Sequence, residues 1–227
     1  MSAIRLFYKI ILTLLITSIL QETRAANPKP IPDSLLQFEK NKEIPEEYRL
    51  PILTALAHFP ELENLHIVFK IKNAYTPLTT KPEFGSIFKS KDNRTYVITI
   101  SNKTVDTLTR LLFKNLDFYE QVGIIGHELS HVVDFDSKNF LQTVRSGLGH
   151  LSKEYIDIME YNTDRICILH GLGEYLEAYS KHVREAMHVH NWRGVDFVNK
   201  GNSNGQYERY MNPDTIEKYM SANHPNE

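Results

Sequence analysis

The residues best placed to do chemistry are His127, Glu128 and His131, an HExxH pattern inside the run Gly123 to Phe135. Two histidines at i and i+4 share one face of a helix about one turn apart, so both imidazoles can reach a single ion. Glu128 projects toward the edge of the same site. These donors at this spacing suit zinc. Ile124, Ile125, Leu129, Val132 and Val133 supply the apolar flanks needed by a helix with one face toward a cleft and the others packed. A catalytic zinc keeps three protein ligands and one open position, so a third donor must come from elsewhere in the chain. Glu160 and Asp164, in the next helical segment, are again i and i+4. One of these carboxylates can bind the ion while the other accepts a hydrogen bond from a ligating imidazole and fixes its tautomer.

HExxH followed by a helical ExxxD resembles the gluzincin metallopeptidases, the thermolysin-like branch of the zincins. The resemblance spans Tyr96 to Gly171. It implies His127, His131 and Glu160 as zinc ligands, Glu128 as general base, and Asp164 as the group that orients a histidine. It also implies an α+β, zincin-like fold: a small antiparallel or mixed sheet whose edge strand packs on the active-site helix and aligns the peptide substrate, with further helices around it. Tyr96 to Ile100 occupies the place in the chain where that edge strand is expected. The metzincin pattern needs Gly at 134 and His at 137, where this chain has Asp134 and Ser137. The gluzincin pattern is departed from at Met159, where an Asn would stand. Another zincin branch takes Asp as third ligand, which would give that role to Asp164 and leave Glu160 outside. Tyr155, Tyr161 and His170 are the nearest donors by sequence for stabilising an oxyanion. His150, His170, His182, His188 and His190 are further imidazoles available as auxiliary ligands. Cys167, one turn after Asp164, reads as a small packed residue.

The elements that must position these groups follow from periodicity and punctuation. Residues 46–58 read as a helix broken near Pro51, Leu65 to Ile71 as a strand, and the Thr- and Pro-rich stretch 73–83 as a loop. Tyr96 to Ile100 is dense in β-branched residues and reads as a second strand. Helices are expected over 104–115, 118–135, 152–170 with a stop at Gly171, 173–190, and from the Asn212-Pro213 pair to Met220. A loop is expected over 136–153, and 201–206 is turn-rich.

The chain has 227 residues, 41% hydrophobic and 24% charged, close to globular averages, and no internal repeat. Its formal charge of -2 gives no support to a nucleic-acid partner held by phosphate neutralisation. Arg5 and Lys9, the uncharged run Ile10 to Leu20, and Thr23 and Ala25 at the -3 and -1 positions of a cleavage site make residues 1–25 an export signal. The run is short for a transmembrane helix, so no stable membrane insertion is expected after cleavage, and the product is periplasmic or secreted. The single Cys167 can form no internal disulfide. Residues 26–45 read as a linker, 46–190 as the zincin-like catalytic domain, and 191–227 as an extension with a short helix. The expectation is an exported zinc metallopeptidase acting on peptides or proteins. A non-catalytic envelope or surface binding protein, and a zinc amidase acting on cell-wall material, are the competing readings.

Overall fold

Thr95 to Ser101 is buried at every position and forms the middle of a four-stranded mixed sheet. The computed structural model describes residues 31–138, 142, 152–194 and 208–223. The segment 1–25, most of the loop 136–153 with His150, and the stretch 201–206 lie outside the described residues. The strands are β1 (Lys42–Glu43), β2 (His66–Lys72), β3 (Leu78–Pro82) and β4 (Thr95–Ser101), in the order β1-β2-β4-β3. β1 and β2 are parallel, as are β2 and β4, with Ile67 beside Tyr96 and Phe69 beside Ile98. β3 runs antiparallel to β4, pairing Thr80 with Ile98.

Two expectations change here. Tyr96 to Ile100 lies inside the sheet rather than at its edge. The edge next to the HExxH helix is β3, drawn from the segment expected as a loop. Pro77 and Pro82 gave that segment a loop signature, but an edge strand tolerates proline at its ends, and Leu78-Thr79-Thr80 is favourable strand sequence. The expected linker likewise carries structure from Asp33 onward, including β1.

The helices among the described residues are α1 (Asp33–Leu36), α2 (Arg49–Leu56), α3 (Phe118–Ser137), α4 (Lys153–Cys167), α5 (Gly173–Met187) and α6 (Pro213–Asn223), with short 3-10 turns between. Pro51 falls in the first turn of α2, where a missing N–H costs nothing, so it does not break the helix. The expected helix over 104–115 is instead two 3-10 segments, Asp106–Leu111 and Phe113–Asn115, parted by an extended Leu112. Thr104, Val105, Thr107 and Thr109 are stiff at χ1 and weaken a continuous α-helix there.

α3 begins with a reciprocal cap. The Glu120 N–H donates to Asp117 Oδ1 at 2.9 Å and the Asp117 N–H donates to Glu120 Oε2 at 2.8 Å. α4 runs into a turn over Ile168–Leu172 in which Gly171 takes φ 76°, the left-handed conformation that lets the chain reverse into α5. At α6 the Thr215 N–H donates to Asn212 Oδ1, the cap expected from Asn212-Pro213. One apolar core, including Leu53, Phe59, Tyr96, Ile98, Phe113, Ile125, Leu129 and Val132, lies between the sheet and the helices.

α3 and α5 meet at Gly123, where a Cβ would lie 2.1 Å from the Tyr175 carbonyl oxygen. Neither backbone can yield without moving a helix. Gly123→Ala should therefore destabilise the fold by about 2–3 kcal/mol in urea unfolding, as overpacking does. Gly85→Ala, where a Cβ meets nothing within 4 Å, should change stability by less than about 1 kcal/mol in either direction.

Candidate metal centre

α3 presents His127 and His131 on one buried face, and α4 lies against it. The four-residue step from one histidine to the other rotates the helix by slightly more than one turn, so both rings project toward α4. The Glu160 Oε2 atom lies 3.1 Å from His127 Nε2 and 3.2 Å from His131 Nε2. Tetrahedral coordination at about 2.0–2.1 Å puts ligand atoms roughly 3.3–3.4 Å apart, so the three atoms are spaced much as a zinc ion requires. Among the described residues these three are the one group of His, Cys, Asp or Glu that could hold a metal.

The far nitrogens are held as well. Asp164 Oδ1 accepts from His127 Nδ1 at 2.7 Å. A carboxylate only accepts, so a proton resides on Nδ1, and an ion bound at Nε2 would displace the proton that Nε2 shares with Glu160. Thr163 spends its hydroxyl proton on the Met159 carbonyl at 2.9 Å, so its oxygen accepts from His131 Nδ1 at 3.2 Å and sets the same tautomer there. Glu160 thus faces the Nε2 atoms of both imidazoles and Asp164 the opposite side of one. Thr163 went unnoticed in the sequence, although its place within the Glu160–Asp164 turn was the available signal.

Burial by itself would lower the His127 pKa. The hydrogen bonds the ring donates to Asp164 and Glu160, reinforced by their charges, outweigh burial and hold the imidazole well above its ordinary value. Burial would likewise raise the Glu160 carboxyl, but the His131 charge and the hydrogen bonds from both imidazoles hold it far below the usual carboxylate range. The cluster therefore attracts a positive charge strongly, and a cation entering it competes with protons for the same lone pairs.

The cluster opens onto a cavity of about 380 Å³. One wall is the stretch Tyr75 to Thr80, ending in β3. The lining also includes Tyr179, Arg209 and Tyr210. Glu128 is buried, lines this cavity, and accepts a 2.6 Å hydrogen bond from the Thr80 hydroxyl. Tyr210 places its ring centroid 5.7 Å from that of His127. Burial, with Glu160 next in effect, pushes its phenol well above the ordinary value, so it stays protonated as a donor.

The aromatic donors expected from sequence lie elsewhere. Tyr161 packs edge-on against Tyr219, His170 bonds Glu61 and stacks on Phe59, and Tyr155 does not line the cavity. Tyr210 lies far along the chain in a segment without a motif, and no sequence signal marks it. His182 pairs with Glu120, and His188 and His190 belong to no ligand group among the described residues. Cys167 is fully buried, packed where a Cβ on Gly126 would come 3.0 Å from its sulfur. Asp157, at i−3 from Glu160, was also missed. It accepts from Arg193 and, at 2.6 Å, from Arg209 Nε, tying the chain around the cavity to α4. Comparison of the chain with protein-family models, curated proteins and solved structures finds no match.

Asp164 serves two donors, since its Oδ2 accepts from the buried Met211 N–H at 2.7 Å. Asn at this position can accept only one of them. Asp164→Asn should therefore weaken zinc affinity by about 10- to 100-fold, and Glu160→Gln should weaken it more, both read by zinc titration of the apo variants. Loss of binding in Asp164→Asn beside a silent Glu160→Gln would reverse the ligand assignment.

Proposed function

We propose that this chain is an exported zinc-dependent metallopeptidase of gluzincin type, with His127, His131 and Glu160 as ligands and Glu128 as general base. The observation that carries the reading is the convergence of His127 Nε2, His131 Nε2 and Glu160 Oε2, with Glu128 on the wall of the same cavity. Each part of the surroundings has a use in peptide hydrolysis. A zinc ion held there supplies a bound water with its pKa lowered to about 7 and a Lewis acid for the scissile carbonyl.

The chain's own residues do the rest. Glu128 takes the proton of the attacking water and delivers it to the leaving amine. The Thr80 hydroxyl holds the carboxylate by Oε2 at 2.6 Å and so restricts its rotation. β3 pairs only with β4 among the described residues, so its outer edge can add an extended peptide as a further strand above the site. Tyr210 lines the cavity near His127 as a neutral phenol able to donate to the carbonyl oxygen as charge develops on it. Residues 1–25 as an export signal complete the proposal, with a peptide or protein as substrate.

Glu128→Gln should keep zinc, measured by metal analysis of the purified protein, and lose hydrolysis of a peptide library by about 10²–10⁴-fold or more. His127→Ala should lose both. Zinc-loaded wild-type protein without hydrolytic activity would favour the non-catalytic binding reading, and cleavage of cell-wall amides alone would favour the amidase.

A further inference from the structure

The segment that carries Tyr210 has no regular structure, yet its backbone is fixed at three successive points. The Met211 N–H donates to Asp164 Oδ2 at 2.7 Å, and the Met211 carbonyl accepts from Ser180 Oγ at 2.8 Å. The Tyr210 carbonyl accepts from Arg184 Nη2 at 3.1 Å. Arg184 is itself locked. Its Nη1 donates to the Ser180 carbonyl at 3.1 Å and to Ser180 Oγ at 2.7 Å, and its Nε donates to the His190 carbonyl at 3.0 Å. Arg184 also borders the cavity, but these bonds go to α5, to the turn that follows it and to the Tyr210 backbone, so the guanidinium is engaged in holding chain rather than facing a ligand.

We infer that Arg184 is a positioning residue for Tyr210: with Ser180 and Asp164 it fixes the Tyr210–Met211 backbone, so that the phenol is held beside the His127 side of the metal cluster. The inference rests on the proposed reading of Tyr210 as donor to the substrate carbonyl. The fork geometry is what the task needs. A guanidinium can bond Ser180, Tyr210 and His190 at once from a single rigid plane, whereas an ammonium is one point charge on a flexible stem. Displacing a reacting group by about 1 Å can cost about 100-fold in rate, so the clamp acts on catalysis without touching substrate.

The test compares Arg184→Met, Arg184→Lys, Tyr210→Phe and the double variant Arg184→Met/Tyr210→Phe as zinc-loaded full chains. Deuterium uptake over the Glu208–Met211 segment should rise in Arg184→Met and rise less in Arg184→Lys, while uptake in α3 and zinc affinity stay as in wild type. On a cleaved peptide, Tyr210→Phe should lower kcat by about 10²–10³-fold. Arg184→Met should lower it by about 10- to 100-fold with KM little changed, and the double variant should be no slower than Tyr210→Phe alone. Unchanged uptake in Arg184→Met, or multiplicative losses in the double variant, would overturn the inference. A Tyr210→Phe enzyme as fast as wild type would instead overturn the donor role of Tyr210, with the exchange data still deciding whether Arg184 holds the segment. If Arg184→Met does not fold, Ser180→Ala removes two hydrogen bonds of the same clamp and carries the same comparison.

Discussion

Asp164 uses its two oxygens on two different parts of the molecule, and most of the site depends on that division. Oδ1 meets His127 Nδ1 across the α3–α4 contact, and Oδ2 meets the Met211 N–H in the segment leading to α6. The first bond decides which nitrogen of His127 carries the proton, and therefore which one faces Glu160. The second brings Tyr210 into the same cavity. Both oxygens are buried, so either contact left unmade would strand a donor away from water at a cost of about 1–3 kcal/mol. A single carboxylate thus ties the geometry of the cluster to the placement of a segment that Ser180, Arg184 and Asp157 also hold.

The same economy governs the rest of α4. Asp157, Glu160 and Asp164 lie at i, i+3 and i+7 on one inward face, an arrangement that would be costly without partners. Each is matched by charge or by a charge-assisted hydrogen bond: Asp157 by Arg193 and Arg209, Glu160 by the two imidazoles, Asp164 by His127 and a backbone amide. Two of the three partnerships draw on residues beyond position 192. The C-terminal part of the described chain is therefore a structural component of the centre rather than an appendage to it.

The sheet contributes less chemistry but sets the boundary of the cavity. β4 is wholly buried and parallel to β2, so it cannot offer an edge. β3 turns back antiparallel beside it, and its Thr80 reaches Glu128 on the neighbouring helix. The position of Glu128 and the sheet edge beside it are thus set by one strand.

The sequence alone determined the two helices that matter and the faces they bury. HExxH and ExxxD are local patterns, and helical periodicity by itself brings each pair of side chains onto one side. The cap at Asn212 and the stop at Gly171 were legible for the same reason, since each acts over three or four residues. Only the tertiary structure brings Glu160 beside the Nε2 atoms of both imidazoles and Asp164 to the far side of His127, because spacing alone places both carboxylates on the same helix face. It also decided which strand forms the edge, a matter of pairing order that composition does not record, and here a Thr- and Pro-rich segment outranked the strand with the stronger pattern. Thr163, Asp157, Arg184 and Tyr210 came from the fold as well. Their roles arise from contacts with distant helices and segments, and a hydrogen bond between Arg184 and the carbonyl of Tyr210 leaves no trace in the order of residues along the chain.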